Sequence, residues 1–86
     1  MFEILLHARA EKAYARLDPK HQRQIGQAIE KLKTNPLGSP GVAALKGEFA
    51  GLHRLRVGDY RVVYHVDSEQ HRVFILAIGP RGDIYK

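Results

Sequence analysis

The stretch RLRVGDYRVVYHV, residues 54–66, constrains this chain more than any other. It reads as two strands with period-two alternation on either side of Gly58-Asp59, a two-residue hairpin loop in which glycine supplies the positive φ. That loop pairs Val57 with Tyr60, Arg56 with Arg61, Leu55 with Val62 and Arg54 with Val63. One face then carries Leu55, Val57, Tyr60, Val62, Tyr64 and Val66, and must lie against a core. The other carries Arg54, Arg56, Arg61, Val63 and His65. Slipping the pairing by one residue would bury the arginines, so the register is well specified.

This register sets Arg56 opposite Arg61, and like charges facing each other across a ladder destabilise it. The repulsion is relieved if an anion sits among them, because guanidinium is a planar fork that fits phosphate. The alternative is a solvated face with the arginines splayed into water. For a lone pair that alternative is the better reading. Three arginines on one patch, with Arg81 following the adjacent strand, favour an anion site.

The rest of the chain supplies the layers around this hairpin. FEILLH, Phe2 to His7, is a short apolar run that reads as a strand, although a buried helical segment looks similar at this length. Ala10, Ala13, Tyr14 and Leu17 make the stripe of a short amphipathic helix. Asp18-Pro19 is an N-cap followed by a first-turn proline, so a second helix starts at Pro19 and buries Ile25, Ala28, Ile29 and Leu32. It ends near Thr34, before Asn35-Pro36. NPLGSPGVAALKGEFAG, Asn35 to Gly51, reads as a long Pro/Gly-rich connection with room for one helical turn. Strands follow at Leu52–Val57, Tyr60–Val66 and Arg72–Gly79, the last two joined by the turn DSEQH. Grouped helices followed by grouped strands argue an α+β fold. The expected architecture is a mostly antiparallel, four-stranded sheet with two N-terminal helices on one face.

A length of 86 residues suits one domain, spanning 1–86, with a single modest core. The absence of cysteine excludes disulfides and thiolate metal sites and makes the cytoplasm the simplest location. The opening MFEILLHARAEKAYARL lacks the pattern of a signal peptide. No run approaches the roughly 18 apolar residues of a membrane span. The net charge of +5 suits an acidic partner such as nucleic acid or an acidic protein, though it serves solubility equally well. Lys12, Arg16, Lys20, Arg23, Lys31 and Lys33 give the helices a basic surface. His7, His21 and His71 have no ligand spacing, and neither a metal site nor a cofactor is indicated. His53 falls on the apolar face and reads as packing.

The segments LKGEFAGLHRLRVGDYRVVYHVD and VFILAIGPRGDIYK, with the order of elements before them, resemble the RelE toxins of the RelE/ParE superfamily. The resemblance covers essentially the whole chain. It implies a microbial-RNase-like fold and a ribosome-dependent mRNA endoribonuclease, held inactive by a small RelB-like antitoxin that wraps around it. Its implied partners are therefore the antitoxin, the ribosomal A site and mRNA. By the same resemblance Arg61 contacts the scissile phosphate, Arg81 assists the leaving 5′ oxygen, and Tyr85 stacks on a base of the message. Arg54 stands where the best-known members place a catalytic lysine. Leu52 stands where they place a second, which departs from the pattern.

The chemistry can be read beside that resemblance. Metal-independent RNA cleavage uses the 2′ hydroxyl as nucleophile, a stabilised phosphorane and a protonated 5′ oxygen. Arginine suits the second task. It suits deprotonation poorly because it stays protonated, so Arg54 more plausibly stabilises an alkoxide than removes a proton. His65 could act as a base or bind substrate, though an edge-of-sheet surface histidine is commoner. Arg56 belongs to the same patch. Lys46, in the loop before the sheet, could touch RNA or simply be solvated. Tyr85 is as readily a C-terminal anchor as a stacking platform on physics alone. Two further readings stay open: a ParE-like gyrase poison, and a catalytically decayed module that only binds antitoxin.

Overall fold

A computed structural model describes residues 1–80. The chain runs β1 (Glu3–Leu6), α1 (Ala8–Ala15), α2 (Pro19–Leu32), β2 (Val42–Ala44), a 3-10 turn (Gly47–Phe49), β3 (His53–Val57), β4 (Tyr60–Asp67) and β5 (Arg72–Pro80). The sheet has the order β1-β5-β4-β3-β2, with β1 parallel to β5 and the other neighbours antiparallel. It therefore has five strands rather than the expected four. The additional one, β2, lies inside the Pro/Gly-rich connection. At three residues it is too short to show an alternating pattern, and it exists because Val42, Ala43 and Ala44 find partners in Leu55, Arg54 and His53.

Local chemistry sets the helix starts. The Asp18 carboxylate accepts from the His21 amide at 2.8 Å, and Pro19 opens α2. His7, with no ligand role visible in the sequence, caps α1 by accepting from the Arg9 amide through Nδ1 at 3.1 Å. The helices are strapped together reciprocally. The Tyr14 hydroxyl donates to the Gln22 carbonyl at 2.8 Å, and Gln22 Nε2 donates to the Tyr14 carbonyl at 3.0 Å.

Both helices cover one face of the sheet. Ala10, Ile25, Ile29 and Leu32 pack on Leu55, Val62, Tyr64, Val73, Ile75 and Ile78, all buried. Burying each of the larger aliphatic side chains contributes about 1.5–3 kcal/mol. Strict alternation would put Ile75 and Ile78 on opposite faces. A bulge reconciles them: Val63 opposes Ala77 and Tyr64 opposes Ile75, which leaves Leu76 as the extra residue of β5. At the centre of the core the Tyr64 hydroxyl donates to the Pro36 carbonyl at 2.6 Å, tying the long connection to the sheet. The ring of His53 stacks on Tyr64 with centroids 5.9 Å apart, in keeping with a packing role.

Candidate functional site

The helix-free face of the sheet holds the arginines. β3 and β4 pair in the register that the hairpin dictates, with Arg56 opposite Arg61 and Arg54 opposite Val63, and Gly58 takes a φ of 59°. The Arg56 amide donates away from β4, to the Gly41 carbonyl at 3.0 Å. Arg56 and Arg61 thus form a non-hydrogen-bonded pair, the kind in which facing side chains approach most closely. On the other side of Arg61 lies Gly79 of β5, which sets no side chain beside the guanidinium.

Among the described residues these cations have little to hold them. Arg54 Nη1 donates to the Gly41 carbonyl at 3.4 Å, and Arg61 Nη1 reaches the Tyr60 carbonyl at 3.5 Å, both at the long limit of a hydrogen bond. Among the described residues the ion pairs join His21 to Asp18, Lys33 to Glu30 and Arg72 to Glu3, so Arg54, Arg56 and Arg61 are in none of them. Within residues 1–80 no carboxylate occupies the guanidinium donors of the patch.

His65 lies on the same face, exposed, four residues beyond Arg61 along β4 and opposite Phe74. Lys46 is exposed at the N-cap of the 3-10 turn, off the sheet and near the end of β3 away from the hairpin loop. Arg81 and Tyr85 lie outside the described residues. Gly41 is a participant that sequence reasoning did not single out. Its one carbonyl accepts from both the Arg56 amide and the Arg54 side chain. The glycine itself, which suits its φ of 87°, is the only sequence signal, and the surrounding proline and glycine disguise it. Among the described residues no three His, Cys, Asp or Glu side chains gather as metal ligands. No helix of the described residues is long and apolar enough to cross a membrane.

Burial pushes the Tyr64 hydroxyl up to about 12. The Asp18 carboxyl is held below the ordinary 3.8, first by the His21 amide and then by the His21 side chain. Neither group lies on the arginine face: Asp18 caps α2 and Tyr64 faces the core.

Comparison with known proteins places this geometry in a family. The model for the ParE toxin of type II toxin–antitoxin systems, parDE, matches residues 4–85. Putative toxin RelE1 of Methanocaldococcus jannaschii is 32% identical over 87 residues, covering 99% of this chain and 96% of that protein. Toxin RelE of Mycobacterium tuberculosis is 46% identical over 57 residues, 64% of this chain and 55% of that protein's length. A chain of the archaeal RelE–RelB complex from Pyrococcus horikoshii OT3 superposes with a TM-score of 0.81 at 31% identity, covering 95% of this chain and 97% of that one. Matched along nearly its whole length, the chain belongs to the ParE toxin family within the RelE/ParE superfamily: it is a RelE-type toxin of a toxin–antitoxin system.

Proposed function

We propose that this toxin is a ribosome-dependent, metal-independent endoribonuclease that cleaves mRNA by attack of the substrate 2′ hydroxyl on the adjacent phosphate. The observation that carries the reading is the cluster Arg54, Arg56 and Arg61 on one sheet face, in none of the ion pairs among the described residues. Arg61 would bind the scissile phosphate and stabilise the phosphorane, with fixed cationic donors of this kind contributing about 3 kcal/mol each. Arg54 would lower the free energy of the alkoxide. Arg81 would assist the leaving 5′ oxygen and Tyr85 would stack on a base. Arg56, His65 and Lys46 would hold the message. No residue is assigned as general base.

The same reading includes a cognate antitoxin. The archaeal relative was solved with RelB, and we propose a RelB-like acidic or amphipathic partner here. An apolar groove of about 580 Å³ between β1 and α2, lined by Phe2, Ile4, Tyr14 and Ile29 among others, suits such a segment.

The matching family model carries the ParE name, so poisoning of gyrase is the second reading. Both are tested together by adding the toxin to a translation extract and to a gyrase supercoiling reaction. Cleaved message with gyrase unaffected is the expected result. Trapped gyrase–DNA breaks with intact message would replace the ribonuclease reading with the second one. Inactivity in both, with antitoxin still bound, would leave a binding module.

A further inference from the structure

The helix-free face does not end with the arginines. Beyond them along β4, the His65 ring lies 6.3 Å from the Phe74 ring, centroid to centroid, tilted by 36°. Leu5 of β1 opposes Phe74 from the other side, and Leu52 and the bulged Leu76 complete the walls. Together they form an open groove of about 540 Å³, within the range of small-ligand sites. Leu5, Leu52, Phe74 and Leu76 have no place in the core cluster on the opposite face. The bulge that brings Ile75 and Ile78 to the core is also what releases Leu76 to this groove. Large apolar side chains held in a concave surface away from the core mark a binding site.

The occupant can be argued from what adjoins the groove. It shares its sheet face with Arg54, Arg56 and Arg61, which lie outside its lining, so a strand laid along that face meets guanidinium forks on one stretch and apolar walls on the next. A strand rises about 3.4 Å per residue, so His65 stands about 14 Å from Arg61 along β4. That is too far for a base attached to a phosphate at Arg61, and suits the base of a neighbouring nucleotide. Two ring side chains, one with a polar edge, match a splayed base better than an aliphatic side chain. We infer that this groove is a subsite for one unstacked base of a single-stranded RNA whose backbone the arginines hold. The inference rests on the ribonuclease reading and deepens it.

The test titrates a short single-stranded hexaribonucleotide into the isotope-labelled full chain at low salt. The same is done for a series in which each position in turn is abasic, and amide shifts in the groove and around Arg61 are followed. Removing one particular base should weaken binding roughly tenfold, as expected for a lost stacking contact. His65→Ala and Phe74→Leu should weaken the intact strand similarly and leave that abasic strand unaffected. His65 is exposed, so its variant keeps the test decisive if Phe74→Leu fails to fold. Affinity indifferent to every base, while Arg61→Ala still weakens it, would overturn the groove and leave the phosphate reading standing. Groove shifts without any effect of Arg61→Ala would do the reverse. No shift in either region would overturn the groove, while the ribosome-dependent cleavage is decided separately by the translation assay. Groove amides moved by an antitoxin peptide but never by RNA would assign the surface to a protein side chain and overturn the inference.

Discussion

At the scale of single residues, Arg61 and Tyr64 sit three apart on one strand and illustrate opposite uses of it. Arg61 faces another arginine, and its removal relieves a repulsion of about 0.2–1 kcal/mol while losing some packing of its stem. Arg61→Ala should therefore melt within a few degrees of the parent and abolish toxicity, and Arg61→Lys should restore little, since lysine keeps the charge and loses the fork. Thermal melts and growth assays on the two variants check this. Loss of toxicity through unfolding would make Arg61 structural. Tyr64 faces the core and donates to the Pro36 carbonyl at 2.6 Å. Tyr64→Phe leaves that buried acceptor unmade and should cost about 1–2 kcal/mol. Its pH dependence has a definite sign. The folded protein raises the hydroxyl from 10.0 to about 12, so it favours the protonated form. That stability is fully present below about pH 10 and is lost as pH rises toward 12. Denaturant midpoints of parent and Tyr64→Phe should converge across that window. A gap that is constant with pH would show that Tyr64 does not titrate where the fold places it.

At the scale of elements, what could be read in the sequence was whatever repeats or punctuates. The hairpin was legible because alternation and a two-residue loop leave one register, and α2 because Asp18-Pro19 marks its start. β2 was not, since a three-residue edge strand is made by its partner rather than by its own pattern. Nor was the bulge at Leu76, which depends on which residues the helices must bury. Within the site the arginine pairing was legible for the same reason as the hairpin. The groove was not, because its walls come from β1, the residue before β3, β4 and β5, which only the topology brings together. Two glycines carry element-scale predictions. A methyl at Gly41 would stand 3.0 Å from the Arg56 carbonyl oxygen on a backbone with φ of 87°. Gly41→Ala should therefore cost about 1–3 kcal/mol and loosen Arg54, lowering activity beyond the loss of stability. At Gly26 the added methyl would stand 3.0 Å from the Tyr14 hydroxyl. Alanine in a helix interior gains about 1 kcal/mol over glycine, but here it displaces the strap to Gln22. Gly26→Ala should thus destabilise the parent and stabilise Tyr14→Phe, a sign reversal that a double-mutant cycle reads directly. The same sign in both backgrounds would show that the hydroxyl is not the obstacle.

At the scale of the whole molecule, one face of the sheet builds stability and the other exposes charge, and the proposed reaction draws on that division. In that proposal the exposed face would offer arginines for the transition state, and no described residue stands out as a proton acceptor. Such a protein should cut free RNA poorly and a translated message well. The ribosome would hold the message bent, with the 2′ hydroxyl in line with the phosphate, and positioning of this kind can supply about 7–11 kcal/mol. Because the nucleophile belongs to the substrate, the fragments should carry a 2′,3′-cyclic or 3′ phosphate and a 5′ hydroxyl. A chelator should leave the chemical step intact, provided polyamines keep the ribosome assembled. The measurement is end-group analysis of a message cleaved in a purified translation system, with and without chelator, beside the same RNA free in solution. Fragments bearing a 5′ phosphate would mean that water attacks, and would remove the mechanism assigned to Arg54, Arg61 and Arg81. Equal rates on free and ribosome-bound RNA would show instead that this chain carries a complete acid–base apparatus, with His65 as its candidate base.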